Sequence, residues 1–325
     1  MHADALDEEL RKLSKLSDDN GQPIDWASKS THVAWFDRDD AKSCIEESLS
    51  SKKISHEDAM MLNTWVEDGC LSLSGIIPEE DIDEVNRFVD DLLTTSKPNE
   101  DITLLGYTLD LEKGGDAVPH RDLVKLAPEQ RQKNARLTPW RIHELKNQCE
   151  AANRIFNNAR VKEIASLIFD RKAYPRSTIN FYLGSQQELH QDMAVFHVFP
   201  GNYLIGVWIA LEDISPDSGP LRYVPGSHKK AIYPAFSNHP QSTLRTCALS
   251  EYEGYYKYTN GIADAFGGAK SYVAKKGDVF IWHGMLVHGG SAVNNPALTR
   301  QSMVIHYLVD GVDQTTHVVG PFNWG

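Results

Sequence analysis

Arg300-Gln301-Ser302-Met303-Val304-Ile305-His306-Tyr307 is the stretch on which the fold turns. β-Branched and aromatic residues favour a pleated, half-buried surface, and the apolar texture continues to Val309 without glycine or proline. Working back along the chain, runs of the same character occupy 177–183, 204–211, 271–273 and 279–282. Between them lie clusters of turn residues such as Ser215-Pro216-Asp217-Ser218-Gly219-Pro220. Short strands punctuated in this way predict a sandwich or barrel.

Before Pro175 the pattern is helical. A helix is expected from Ser55 through Met60, Met61, Leu62 and Trp65 to a stop at Asp68-Gly69, followed by a strand, Cys70-Leu71-Ser72-Leu73. Pro78 with Glu79, Glu80 and Asp81 suits the first turn of the next helix, because acids there complement the dipole. Its stripe of Ile82, Val85, Phe88, Val89 and Leu92 repeats with helical period. A further helix is expected around 151–168, carrying Ile155, Ile164, Leu167 and Ile168. The predicted class is mainly β with an α jacket (α+β), a jelly-roll core under N-terminal helices. Residues 1–25 read as a polar arm and 26–325 as one domain, helical to about 170 with its β core at about 175–310.

The chain has 325 residues and a formal net charge of −12, which argues against nucleic acid or an anionic membrane surface as partner. No apolar run approaches the roughly 20 residues needed to cross a bilayer. The acidic start, Met1-His2-Ala3-Asp4, lacks the order of a signal peptide. Cys44, Cys70, Cys149 and Cys247 are scattered without a C-x-x-C pair, so reduced thiols and a cytoplasmic location are expected.

The chemistry is carried by Glu188-Leu189-His190-Gln191-Asp192 and Leu286-Val287-His288-Gly289-Gly290. In extended backbone alternate side chains share a face, so His190 and Asp192 point one way and Gln191 the other. Two imidazoles and a carboxylate on one side of an ion form the facial triad of non-heme Fe(II) oxygenases. His283 competes with His288 for the third place. Arg300 follows His288 by twelve residues (288 to 300) and shares a face with Ser302. Guanidinium and hydroxyl could together hold the far carboxylate of 2-oxoglutarate, although a strand-end arginine paired with a surface acid is the competing reading. Asn180 and Tyr182 share a face of the preceding strand and are candidates to line the pocket, or simply to satisfy buried hydrogen bonds.

The chain resembles the phytanoyl-CoA dioxygenase family of Fe(II)/2-oxoglutarate oxygenases. The resemblance rests on three stretches that together span 60–310. They are Trp65-Val66-Glu67-Asp68-Gly69-Cys70 with Ile76-Ile77-Pro78-Glu79-Glu80; His190-Gln191-Asp192 with Gly219-Pro220-Leu221-Arg222-Tyr223-Val224-Pro225-Gly226-Ser227-His228; and Gly277-Asp278 through His288-Gly289 to Arg300. The Gly-Pro-Leu to Gly-Ser-His run is read as architectural, so His228 is not taken as a ligand. The resemblance implies a double-stranded β-helix (cupin-like), with iron, 2-oxoglutarate and O2 yielding succinate, CO2 and an oxidised small molecule. Relatives that halogenate have Gly or Ala in place of the carboxylate; Asp192 therefore fits hydroxylation or another oxidation better than halogenation.

Desaturation, cyclisation or epimerisation by the same cofactors is the alternative, and a non-catalytic cupin-like binding protein is the reading from a different class. Two long inserts depart from the family pattern. Residues 97–147, with Trp140, and 229–270, with Tyr252, Tyr255, Tyr256 and Tyr258, are expected to act as lids that set substrate choice. The oligomeric state is not legible.

Overall fold

The computed structural model describes residues 34–109, 114–196, 198, 203–236, 243–244 and 247–309; the expected arm over 1–25 lies outside them. The helix His56–Asp68 starts at a capping box in which Ser55 and Asp58 exchange side-chain and backbone hydrogen bonds. It stops at Gly69, whose φ of 71° is left-handed. The helix Glu79–Thr94 follows Pro78 and buries Ile82, Val85, Val89 and Leu92. The helix expected at 151–168 is two, Glu150–Phe156 and Ala159–Phe169. They part at Asn157-Asn158, where the Asn158 side chain accepts from Val161 N–H and caps the second.

Eleven strands lie among the described residues: β1 (Cys70–Leu73), β2 (Thr103–Tyr107), β3 (Asp116–Pro119), β4 (Arg141–His143), β5 (Ala173–Phe181), β6 (Ile205–Ala210), β7 (Leu221–Tyr223), β8 (Lys270–Tyr272), β9 (Val279–His283), β10 (His288–Gly290) and β11 (Ser302–Val309). Eight form an antiparallel sheet in the order β1-β9-β6-β11-β5-β4-β2-β3, and three a smaller one, β10-β7-β8. Every strand of β6, β9 and β11 is buried on both faces, which is why they read as continuous apolar runs. One face, with Val207, Ile209, Ile281, Met303 and Ile305, packs into the core shared with the helices. The other, with Trp208, Phe280, Trp282 and Val304, meets Leu221, Tyr223 and Tyr272 of the small sheet. This is the expected double-stranded β-helix inside a helical jacket.

The insert 97–147 is not a lid. Its described residues supply β2, β3 and β4, which extend the large sheet through Arg141↔Phe181 and His143↔Ile179. Trp140 is buried, donates from Nε1 to Ala135 O at 2.9 Å and stacks on Tyr182 at 4.9 Å. Trp140→Ala should therefore cost about 3–5 kcal/mol of stability, the usual range for removing a buried aromatic ring. Urea unfolding measures this directly; a loss below about 1 kcal/mol, the level of an ordinary substitution, would contradict the packing role.

Candidate metal centre

His190 and His288 meet as an antiparallel bridge. His190 N–H donates to His288 O at 2.8 Å and His288 N–H to His190 O at 2.9 Å, so the segment through His190 adds itself beside β10. The two rings stand 4.5 Å apart. Asp192 opens a 3-10 turn, Asp192–Ala194, and brings its carboxylate beneath both. Its Oδ1 lies 3.8 Å from His190 Nε2 and 3.7 Å from His288 Nε2. One ligand atom from each of the three side chains lies within 4.8 Å of the others, and all three residues are buried.

The surroundings fit a metal. His190 Nδ1 is 2.8 Å from Glu188 O and His288 Nδ1 is 2.9 Å from Leu286 O. A ring N–H donated to a carbonyl fixes the tautomer and leaves Nε2 as the basic atom. Burial pushes the His288 pKa down to about 4, so the ring is neutral and ligand-competent near neutrality. Burial acts to raise the Asp192 pKa, but the imidazoles of His288, His306 and His190 outweigh it and hold the carboxyl well below the usual carboxylate range. Two imidazoles that present Nε2 and a carboxylate are a donor set for a divalent ion of the iron type.

Asp192 is aimed from behind. Trp282 Nε1–H donates to its Oδ2 at 2.8 Å, which turns Oδ1 toward the two imidazoles. The indole reaches this place because its cross-strand partner is Gly206, where a Cβ would collide with the ring. Trp282→Phe should keep the packing against His288, 4.7 Å away between centroids, and lose the N–H. The expected result is metal affinity roughly 10-fold weaker, as for other partners that orient ligands, with little change in melting temperature. Metal titration beside thermal unfolding checks it, and unchanged affinity would remove the indole from the site's account.

Arg300 lines the same cavity as the triad, together with Ser185, Phe181, Trp208 and Val304. Its Nη1 donates to Ser302 Oγ at 2.6 Å and Nη2 reaches Ser185 Oγ at 3.4 Å. The guanidinium carbon lies 5.7 Å and 5.8 Å from the Phe181 and Trp208 ring centres. The residue is 3% exposed, and burial lowers its pKa to about 10. Its Nε has no partner, and no carboxylate pairs with it at ion-pair distance among the described residues. The surface-acid reading of Arg300 does not survive this burial.

Asn180 and Tyr182 do not line the cavity. The wall of β5 there is Ile179 and Phe181. Tyr182 stacks on Trp140, and both polar atoms of the Asn180 amide are buried without a partner. His283 is no competitor for His288. Its Nδ1 accepts from Met285 N–H at 2.9 Å, and its Nε2 lies 3.2 Å from Asp37. It packs against Phe36 and Trp65 in the helical core, 5.1 Å from the His228 ring. His228 is structural as expected: burial lowers its pKa to about 3, and the ring fills the space above Gly69.

None of Tyr252, Tyr255, Tyr256 and Tyr258 borders the cavity, so the lid expected at 229–270 is not what its tyrosines form. The insert before it contributes instead through Arg141 and His143 of β4, which line the cavity together with His306 of β11, whose Nε2 lies 3.6 Å from Asp192 Oδ2. Ser185, Trp282, Arg141, His143 and His306 were not among the residues singled out in the sequence. Only the parity of β9 and β11 carries a signal for Trp282 and His306: they share a sheet face with Phe280 and Val304.

A family model described as phytanoyl-CoA dioxygenase matches residues 65–302. A probable phytanoyl-CoA dioxygenase of Caenorhabditis elegans is 27% identical over 150 residues, 43% of this chain and 42% of the relative. The peroxisomal phytanoyl-CoA dioxygenase of Homo sapiens is 28% identical over 132 residues, 38% and 33% of the two chains. The aligned spans thus cover less than half the length of these curated relatives. Among solved structures, EctD from S. alaskensis with 2-oxoglutarate and 5-hydroxyectoine superimposes with a TM-score of 0.56 at 17% identity, covering 83% of this chain and 82% of that one. The non-heme alpha ketoglutarate dependent epimerase SnoN from nogalamycin biosynthesis gives 0.55 at 13%, covering 79% and 84%. These two likenesses speak for the fold.

Proposed function

The chain belongs to the phytanoyl-CoA dioxygenase family, and we propose that it is an Fe(II)- and 2-oxoglutarate-dependent oxygenase that hydroxylates a C–H bond of a small molecule. The observation that carries this reading is the convergence of His190, Asp192 and His288 in the cavity that also holds Arg300. Iron held there would activate O2, with 2-oxoglutarate and the substrate each supplying two electrons, to give succinate, CO2 and the hydroxylated product.

The chain's own residues do the rest. His190 and His288 present Nε2, and Asp192 presents Oδ1, with the opposite side left to the cavity. Arg300, with Ser302 and Ser185, offers a charged and hydroxyl-lined seat for the far carboxylate of the cosubstrate, where a guanidinium fork suits a planar anion. Phe181, Trp208 and Val304 keep that seat dry, which strengthens the charge–charge contact. The substrate would enter beside His143, His306 and Phe196. The protein's task is to place one C–H bond and exclude water, since the cofactor brings the chemistry.

The carboxylate of Asp192, where the resemblance puts Gly or Ala in relatives that halogenate, favours oxygen transfer. No helix among the described residues is long and apolar enough to cross a membrane. A cytoplasmic location is proposed from the scattered spacing of the four cysteines. The test is an anaerobic absorption spectrum of the protein with Fe(II) and 2-oxoglutarate, then oxygen and a panel of metabolites with succinate and product measured together. A chain that binds no Fe(II), or releases no succinate with any member of the panel or without one, is not the enzyme proposed.

A further inference from the structure

The segment through His190 lies against β10, the edge strand of the small sheet, through one antiparallel bridge. Backbone groups in a strand alternate sides, and those of His190 are used up on β10. The groups of Leu189 and Gln191 therefore face the other way, where a sheet would need another strand. A helix stands there instead. Tyr255 and Thr259, one turn apart on Leu249–Ala265, reach that edge with their hydroxyls. Gln191 N–H donates to Tyr255 Oη at 2.7 Å, and Thr259 Oγ1 donates to Leu189 O at 2.8 Å.

Both side chains are fully buried. Tyr255 is fixed by Phe236 and Tyr233, with ring centres 5.5 Å and 6.0 Å away. On its other side Gln191 ties the segment to the next ligand's loop, its Nε2 donating to Met285 O at 3.0 Å.

We infer that the helix Leu249–Ala265 is a positioning element for the metal centre, in which Tyr255 and Thr259 replace a missing strand and hold His190 and Asp192 in ligating geometry. The inference rests on the metal reading above. It gives the 229–270 insert a role in iron affinity in place of the substrate selection expected of a lid. Both hydroxyls act on backbone, so their removal leaves the three ligand side chains chemically intact.

The experiment titrates the metal-free, full-length protein with Mn(II), following free Mn(II) by EPR, beside thermal unfolding of each apo variant. Tyr255→Phe removes the hydroxyl and keeps the ring; Thr259→Val removes its hydroxyl, and Thr259→Ser restores it. Tyr258→Phe is the control, since the Tyr258 hydroxyl also bonds to backbone from the same helix, donating to Ala231 O at 2.7 Å, away from the ligands. Tyr255→Phe and Thr259→Val should each weaken Mn(II) binding roughly tenfold, the scale seen for partners that orient ligands. Tyr258→Phe and Thr259→Ser should stay within about twofold of the parent. The inference is overturned if Tyr255→Phe binds like the parent, if Tyr258→Phe weakens binding as much, or if Thr259→Ser fails to restore it. A parent protein that binds no Mn(II) and no Fe(II) removes the metal reading and the inference together. A parent that binds while Tyr255→Phe is unchanged removes the inference alone.

Discussion

His288→Ala is expected to abolish tight Fe(II) binding and, with it, turnover. Changing residues that merely orient a ligand costs roughly 10- to 100-fold in affinity, so deleting one of three ligands should cost at least about 100-fold. His190→Ala and Asp192→Ala should behave alike, because Oδ1 of Asp192 lies within 3.8 Å of both imidazoles and no fourth His, Cys, Asp or Glu joins the group among the described residues. His306 is the nearest substitute, yet its Nε2 faces Oδ2, 3.6 Å away on the side occupied by Trp282. His283→Ala makes the contrast. That ring is buried against Phe36 and Trp65 and accepts from Met285 N–H, so its loss should lower stability by about 1–3 kcal/mol. Metal affinity should stay close to that of the parent. Calorimetric titration of the two variants with Fe(II) under nitrogen decides: tight binding by His288→Ala with none by His283→Ala would move the centre elsewhere.

Where the chain announced its structure, local chemistry and burial agreed. Ser55, Asp58 and Gly69 punctuate a helix by their own hydrogen bonds and backbone angles, and both ends were readable. His190, Asp192 and His288 were readable because ligands must be of few types, at a spacing that puts them on one face. The parity of β5 was not. Asn180 and Phe181 alternate on a strand with buried residues on both faces, so polarity does not say which side is the cavity. That choice is made by pairing with β11, where Phe181 opposes Ser302 and Ile179 opposes Val304. A one-residue difference in parity exchanges the whole face. The insert was opaque for a related reason. Arg141-Ile142-His143 is too short to show a period, and it is a strand because β5 offers it an edge. Tyr255 gave no sign of its role, since a hydroxyl that bonds to a backbone 64 positions away leaves no local pattern.

Arg300→Ala should weaken 2-oxoglutarate binding by about 2–4 kcal/mol, roughly 30- to 1000-fold, the usual cost of losing one partner of a buried, hydrogen-bonded ion pair. Three observations place the effect in that range. The guanidinium is 3% exposed, so water screens it little. Among the described residues it has no ion-pair partner, and Glu212, which acts on it from beyond ion-pair distance, accepts from Thr299 Oγ1 and Gln301 N–H instead, so the charge is only partly balanced. Ser302 and Ser185 stand at its two terminal nitrogens and can turn their hydroxyls to the same anion. Arg300→Lys should recover only part of the loss, because an ammonium is a point charge that cannot reproduce the two-pronged contact or the guanidinium's place near the Phe181 and Trp208 rings. Ser302→Ala should cost less than either, about 1 kcal/mol for one neutral hydrogen bond. Fe(II) affinity without cosubstrate should be unaffected in all three, which separates this seat from the metal ligands. The measurement is a 2-oxoglutarate titration of the Fe(II)-loaded protein under nitrogen. If Arg300→Ala binds 2-oxoglutarate as the parent does, the far carboxylate is held elsewhere, and Arg141 on the neighbouring wall becomes the group to test.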